Sequence, residues 1–209
     1  RLAATNAAPR KASHLCLDSA AGRLFVADSE ADEVIVLRAA DLRIEHRFPA
    51  PGGPQLPLVS GSGIVCVSGP ATGTLTIARP HGGGYKAQTI AVGACPHDPA
   101  LAADGDHVFV PCAGSREIVK VRMEDGRIIG RCEVGDGPSH LVLHPEGTRL
   151  YSANSWDGTL TCMSTDGVFV ASAASGPGSL WYAHVYETDR WDQNPVGPTP
   201  DPSVIPEFF

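Results

Sequence analysis

The chain has no run of about 18 consecutive apolar residues, so no membrane-spanning helix is expected. It has no Cys-x-x-Cys pair, which excludes a covalently attached c-type haem and a common zinc ribbon. Neither a Gly-x-Gly-x-x-Gly fingerprint nor a phosphate-binding P-loop occurs. A Gly-x-Ser-x-Gly nucleophile elbow is missing too: Ser60-Gly61-Ser62-Gly63 resembles one loosely but reads as a turn before a strand. No segment has the capped, 3.6-residue period of a helix. Charged residues are scarce at 19%, and the 16 basic ones are scattered in a chain of net charge −7, so nucleic acid and anionic membranes are not expected partners. Aromatics are few as well, at 6%.

What the chain has in quantity is Gly (23) and Pro (18), the composition of strands joined by tight turns, in 209 residues, enough for a sizeable core. Aligned on their turns, four stretches repeat one pattern: Ser13-His14-Leu15, Pro54-Gln55-Leu56, Pro96-His97-Asp98 and Ser139-His140-Leu141 stand 41, 42 and 43 residues apart. Each is followed by an apolar strand (Leu24-Phe25-Val26, Ile64-Val65-Cys66, Val108-Phe109-Val110, Leu150-Tyr151-Ser152) and then by a second (Glu33 to Val36, Gly73 to Thr76, Glu117 to Lys120, Gly158 to Thr161). Closing strands follow at Ile44 to Phe48, Thr89 to Val92, Ile128 to Cys132 and Val168 to Val170. Gly82-Gly83-Gly84 reads as a hairpin turn rather than a phosphate cradle. Four short strands per period of about 40 residues predict an all-β fold, a β-propeller of four-stranded blades over 13–52, 54–93, 95–135 and 137–175. Residues 1–12 form an N-terminal extension, 177–192 a partial fifth blade opened by Leu180 to Val185, and 193–209 a Pro-rich tail.

The third and fourth repeats carry a resemblance. Cys95-Pro96-His97-Asp98-Pro99, Asp104-Gly105-Asp106-His107-Val108-Phe109-Val110-Pro111, and Gly137-Pro138-Ser139-His140-Leu141-Val142-Leu143-His144-Pro145-Glu146-Gly147, with Tyr151 and Asn154, resemble YVTN-type propeller repeats. Within that group they are most similar to the lactonase family of seven-bladed propellers, which includes 6-phosphogluconolactonase and muconate cycloisomerases of the same fold. The match runs from about Ala94 to Asp166, and the first two repeats follow only the general pattern. The resemblance implies a propeller fold and raises lactone hydrolysis as an activity. The residues depart from it: where the family motif reads Gly-Pro-Arg-His this chain has Ser139, and where it reads Asn-Glu this chain has Asn154-Ser155. Neither serine supplies the missing cation or the missing acid, so no catalytic residue is assigned.

In a propeller the first strand of each blade lines the central channel, so His14, Gln55, His97 and His140 are expected at one channel mouth. Neutral imidazoles at one depth suit a borderline metal or an anion, while histidines there also serve simply to bond neighbouring carbonyls. No cofactor is predicted beyond that metal option. Of the six cysteines, Cys66, Cys132 and Cys162 fall within strands as small apolar residues. Cys95 and Cys112 share a repeat, where a disulfide is an open alternative, and an exported, organellar or cytoplasmic compartment fits equally.

An unclosed run of blades leaves two apolar faces in water. A fragment of a longer propeller, a subunit docked on a partner and a small closed ring all resolve this. Trp181, Tyr182, Tyr186, Trp191, Phe208 and Phe209 gather six of the thirteen aromatics beside the Pro-rich tail, as docking anchors or as cover for the chain's own open blade. The expectation is a non-catalytic scaffold or interaction subunit of a larger assembly, with other protein subunits as partners. The alternative is a lactonase-like hydrolase, or a metal- or cofactor-dependent oxidoreductase subunit, using the histidine ring.

Overall fold

A computed structural model describes residues 9–166 and 169–174. They form four antiparallel four-stranded sheets, each a simple meander, which are the blades of a β-propeller. Blade one comprises β1 (Ala12–Asp18), β2 (Arg23–Asp28), β3 (Glu33–Arg38) and β4 (Ile44–Pro49). Blade two comprises β5 (Leu58–Val59), β6 (Val65–Gly69), β7 (Thr74–His81) and β8 (Gly84–Ala91). Blade three comprises β9 (Ala100–Leu101), β10 (His107–Cys112), β11 (Glu117–Arg122) and β12 (Ile128–Glu133), with a 3-10 turn at Ala113–Ser115. Blade four comprises β13 (Pro138–Leu143), β14 (Arg149–Asn154), β15 (Thr159–Ser164) and β16 (Phe169–Ala174). No helix among the described residues is long and apolar enough to cross a membrane.

The inner strands of blades two and three are shorter than their counterparts. Pro54 and Pro57 precede or flank β5, and Pro96 and Pro99 precede β9; prolines cannot donate to a ladder, so pairing begins late. The β7–β8 connection is the hairpin expected from sequence. Its two central residues, Gly82 and Gly83, have φ of +56° and +82°, the left-handed pair that a two-residue turn requires.

Alternation along each strand sends one side chain toward the preceding blade and the next toward the following one. Three apolar seams result. Phe25, Val34, Val36 and Phe48 of blade one meet Val65, Val67 and Ala78 of blade two, with Tyr85 edge-on to Phe25 at 5.6 Å. Cys66, Leu75 and Ile77 meet Val108, Val110, Val119, Val121 and Met123. Phe109, Ile118 and Cys132 meet Leu150 and Met163. Burying each large side chain stabilises by about 1.5–3 kcal/mol relative to exposure. Cations tie the same seams at their rims: Arg79 Nη2 donates to the Met123 carbonyl at 2.7 Å, Arg131 Nη1 to that of Val92 at 2.6 Å, and Lys120 Nζ to that of Thr165 at 3.0 Å.

Beyond the third seam the pattern continues without cover. Val34, Leu75, Ile118 and Leu160 occupy one repeat position, opposite Ala27, Ser68, Pro111 and Ala153. The first three are 0% exposed and Leu160 is 52% exposed. Phe25, Cys66, Phe109 and Tyr151 form a second such series, fully buried in the first three blades and exposed at Tyr151. At the other end Leu15 and Leu17 on the axial strand stand 60% and 56% exposed and Leu42 on the β3–β4 turn is exposed as well, while Val26 and Ile35 on the same sheet face as Leu15 are buried. Leu180 to Val185, the aromatic candidates Trp181, Tyr182, Tyr186, Trp191, Phe208 and Phe209, and the tail lie outside the described residues.

Candidate functional site

The four ring positions keep a common register despite the shortened strands. His14 pairs with Ala27 and His140 with Ala153 in regular ladders, each beside a local bulge. Gln55 and His97 lie before their strands, yet each donates its backbone N–H to the equivalent carbonyl, Ser68 at 3.1 Å and Pro111 at 2.9 Å. His14 and His140 are exposed; Gln55 and His97 are half-buried. Among the described residues no three His, Cys, Asp or Glu side chains gather closely enough to hold a metal ion.

The side chains that do meet do so between blades three and four. His140 Nε2 lies 3.6 Å from Asp98 Oδ2, and its Nδ1 lies 3.1 Å from the Ser139 hydroxyl. Ser139 is buried and also reaches the Ala153 carbonyl at 3.4 Å. The second carboxylate oxygen of Asp98 is buried without a hydrogen-bond partner. Serine, imidazole and carboxylate thus stand in a line across the seam, with the imidazole's exposed edge toward solvent. Such a chain can orient an imidazole.

Asp98 was not singled out from the sequence, although a signal existed: it stands where the other three repeats have Leu15, Leu56 and Leu141. Next to it Cys95, with a left-handed φ of +51°, places its thiol 3.6 Å from His97 Nε2. The Cys95–Cys112 disulfide left open by the sequence is not formed, and all six cysteines are free thiols. Cys112 instead turns into the seam between blades two and three, where burial pushes its thiol up to about 12. Burial does the same to Cys66 and Cys132, as expected of strand cysteines, while Cys162 is half-buried.

At this end of blades one and four a buried polar side chain staples the turn between the second and third strands. Asp28, buried, accepts backbone N–H bonds from Arg10 (2.6 Å), Lys11 (3.0 Å), Glu30 (3.3 Å) and Ala31 (3.1 Å). Burial alone pushes its carboxyl up, and the N–H bonds outweigh burial and hold it below the usual carboxylate range. Asn154 fills the equivalent position of blade four and donates to Thr159 and Thr161 at 2.9 and 2.8 Å. The Ser60 hydroxyl accepts from the Ile64 amide at 3.1 Å, which makes the Ser60–Gly63 stretch a capped turn. Trp156, exposed on the β14–β15 turn, lies over Gly137, where a Cβ would come within 2.3 Å of its indole.

No protein-family pattern matches this sequence, and no curated protein sequence matches it. Solved structures do. Hydrazine synthase of Kuenenia stuttgartiensis superposes with a TM-score of 0.66 at 16% identity, covering 79% of this chain and 47% of that one. Virginiamycin B lyase of Staphylococcus aureus gives 0.69 at 12%, covering 82% and 58%. The periplasmic gluconolactonase PpgL of Pseudomonas aeruginosa gives 0.66 at 21%, covering 83% and 57%. The propeller fold is common to all three, and this chain spans about half to three-fifths of the length of each.

Proposed function

We propose that this chain is a non-catalytic β-propeller scaffold that offers the outer face of blade four to another protein subunit. The observation carrying the proposal is Leu160: a repeat position buried in three consecutive blades is 52% exposed in the fourth. Together with Val142 and Tyr151 on the same sheet face it forms an apolar surface at the end of a stack whose described seams are closed. Affinity capture from the native source tests it. Wild-type chain is expected to retain a defined partner that Leu160→Asp releases, and equal retention by both would refute the assignment of this face.

A second reading rests on the Ser139–His140–Asp98 line. It makes the channel mouth a hydrolytic site of the gluconolactonase kind, in a chain whose Ser139 stands where the lactonase motif carries arginine. Hydrolysis of a simple lactone that is lost in His140→Ala supports it. Absence of any hydrolysis by wild-type protein removes it.

A further inference from the structure

Blade three departs from its neighbours at one loop position. Gly53, Cys95 and Gly137 each precede the proline that leads into an inner strand, and each has a left-handed φ, of +67°, +51° and +71°. Glycine adopts that conformation freely, whereas cysteine does so only where surrounding bonds hold it. Here they do: the Cys95 carbonyl accepts from the Ala113 amide and the Ala94 carbonyl from the Gly114 amide, both at 3.0 Å. The same two bonds in blade four join Gly137 to Ser155 and Asp136 to Trp156. The residue types are exchanged between the two blades. In blade four the loop is bare glycine and Trp156 lies over it, whereas in blade three the turn is bare at Gly114 and the loop carries a thiol. The half-buried Cys95 thus has no side chain above it from that turn position, and its thiol lies 3.6 Å from His97 Nε2. Among the described residues no other thiol meets an imidazole.

We propose that Cys95 is a covalent-modification site for small-molecule disulfides, with His97 as its general base. His97 Nε2 takes the thiol proton, Cys95 Sγ attacks one sulfur of the disulfide, the S–S bond breaks, and the other half leaves as a thiolate. The disulfide is itself the oxidant, so the mixed disulfide forms without a further reagent. The step uses none of Ser139, His140 and Asp98. The adduct is expected to persist, because the thiol that could displace it is engaged elsewhere. Cys112 stands opposite Pro96 in the ladder, where its S–H donates to the Val110 carbonyl at 3.8 Å and its Sγ would lie 2.9 Å from a Cβ placed on Gly93. Burial pushes that thiol up to about 12, which leaves almost no thiolate at neutral pH. Burial also pushes up the thiols of Cys16 and Cys162, the two other half-buried cysteines.

Oxidised glutathione, added to the purified full chain at about pH 7.5 and followed by intact mass and peptide mapping, tests the proposal. One glutathione adduct is expected at Cys95, forming at least about tenfold faster than at Cys16 or Cys162. His97→Ala is expected to slow it about tenfold. Cys95→Gly is expected to abolish it with an unfolding midpoint no lower than that of wild type, because glycine suits the left-handed position. Continued protection of Cys66, Cys112 and Cys132 establishes that each variant is folded. Earlier modification of Cys16 or Cys162, an unchanged rate in His97→Ala, or a Cys95–Cys112 disulfide in place of the adduct would each overturn the proposal.

Discussion

Leu160 and Ile118 stand at one register position in adjacent blades, opposite Ala153 and Pro111, and differ in cover alone: Ile118 is sealed in the seam with blade four and Leu160 faces solvent. Substitution by aspartate is therefore expected to have opposite consequences. Ile118→Asp buries an unpaired charge and should cost more than about 4 kcal/mol, preventing folding at ordinary temperature. Leu160→Asp should change stability by no more than about 0.5 kcal/mol in the isolated chain. Denaturant unfolding of the two variants makes the comparison, and a large loss in Leu160→Asp would mean that the face is already covered.

The Asp28 staple predicts an acid-sensitive first blade. Its carboxyl is held below the ordinary value in the folded chain, so its contribution is fully present above the unfolded pKa and is lost as pH falls below about 4. Asp28→Ala should remove about 2–3 kcal/mol at neutral pH, the scale of hydrogen bonds to a charged group. The variant should also show a shallower fall in stability between about pH 5 and pH 2 than wild type. Parallel acid slopes would contradict this role.

Gly137 is required by two constraints at once, a φ of +71° and the indole of Trp156 above it. Gly137→Ala should destabilise by about 1–3 kcal/mol and shift the emission of Trp156. Adding Trp156→Ala should restore part of the stability, because it removes the clash and leaves the backbone strain. No restoration would assign the whole cost to the backbone.

Thiol chemistry should divide the cysteines. Cys66, Cys112 and Cys132, with thiols raised to about 12, should resist alkylation at pH 8 in the folded chain, while Cys16, Cys95 and Cys162 react. Mass spectrometry after brief labelling reads the pattern. Rapid labelling of Cys112 would mean that the seam between blades two and three is open.

The blades were legible in the sequence because period, turn residues and alternation all report on local geometry, as at Gly82-Gly83. The full length of the inner strands was not, since Pro57 and Pro99 delay the ladder without erasing the register that Gln55 and His97 retain. The cross-blade pair of Asp98 and His140 joins repeats 42 residues apart and has no local periodic signature, apart from a charge standing at a leucine position. The repeat count left a fragment of a longer propeller, a docked subunit and a small closed ring as alternatives. The asymmetry of the stack, with Leu160 and Tyr151 exposed in the outer strands of blade four while Val26 and Ile35 of blade one are buried, depends on packing that no spacing encodes.

The measurement that tests the account most directly is the native mass of the particle containing this chain, taken from its source before and after introduction of Leu160→Asp. The account predicts a particle well above 21.8 kDa containing other polypeptides, from which the variant is released while still folded. A folded particle of 21.8 kDa with Leu160 protected from solvent labelling would contradict it, because the fourth face would then be closed by the chain itself.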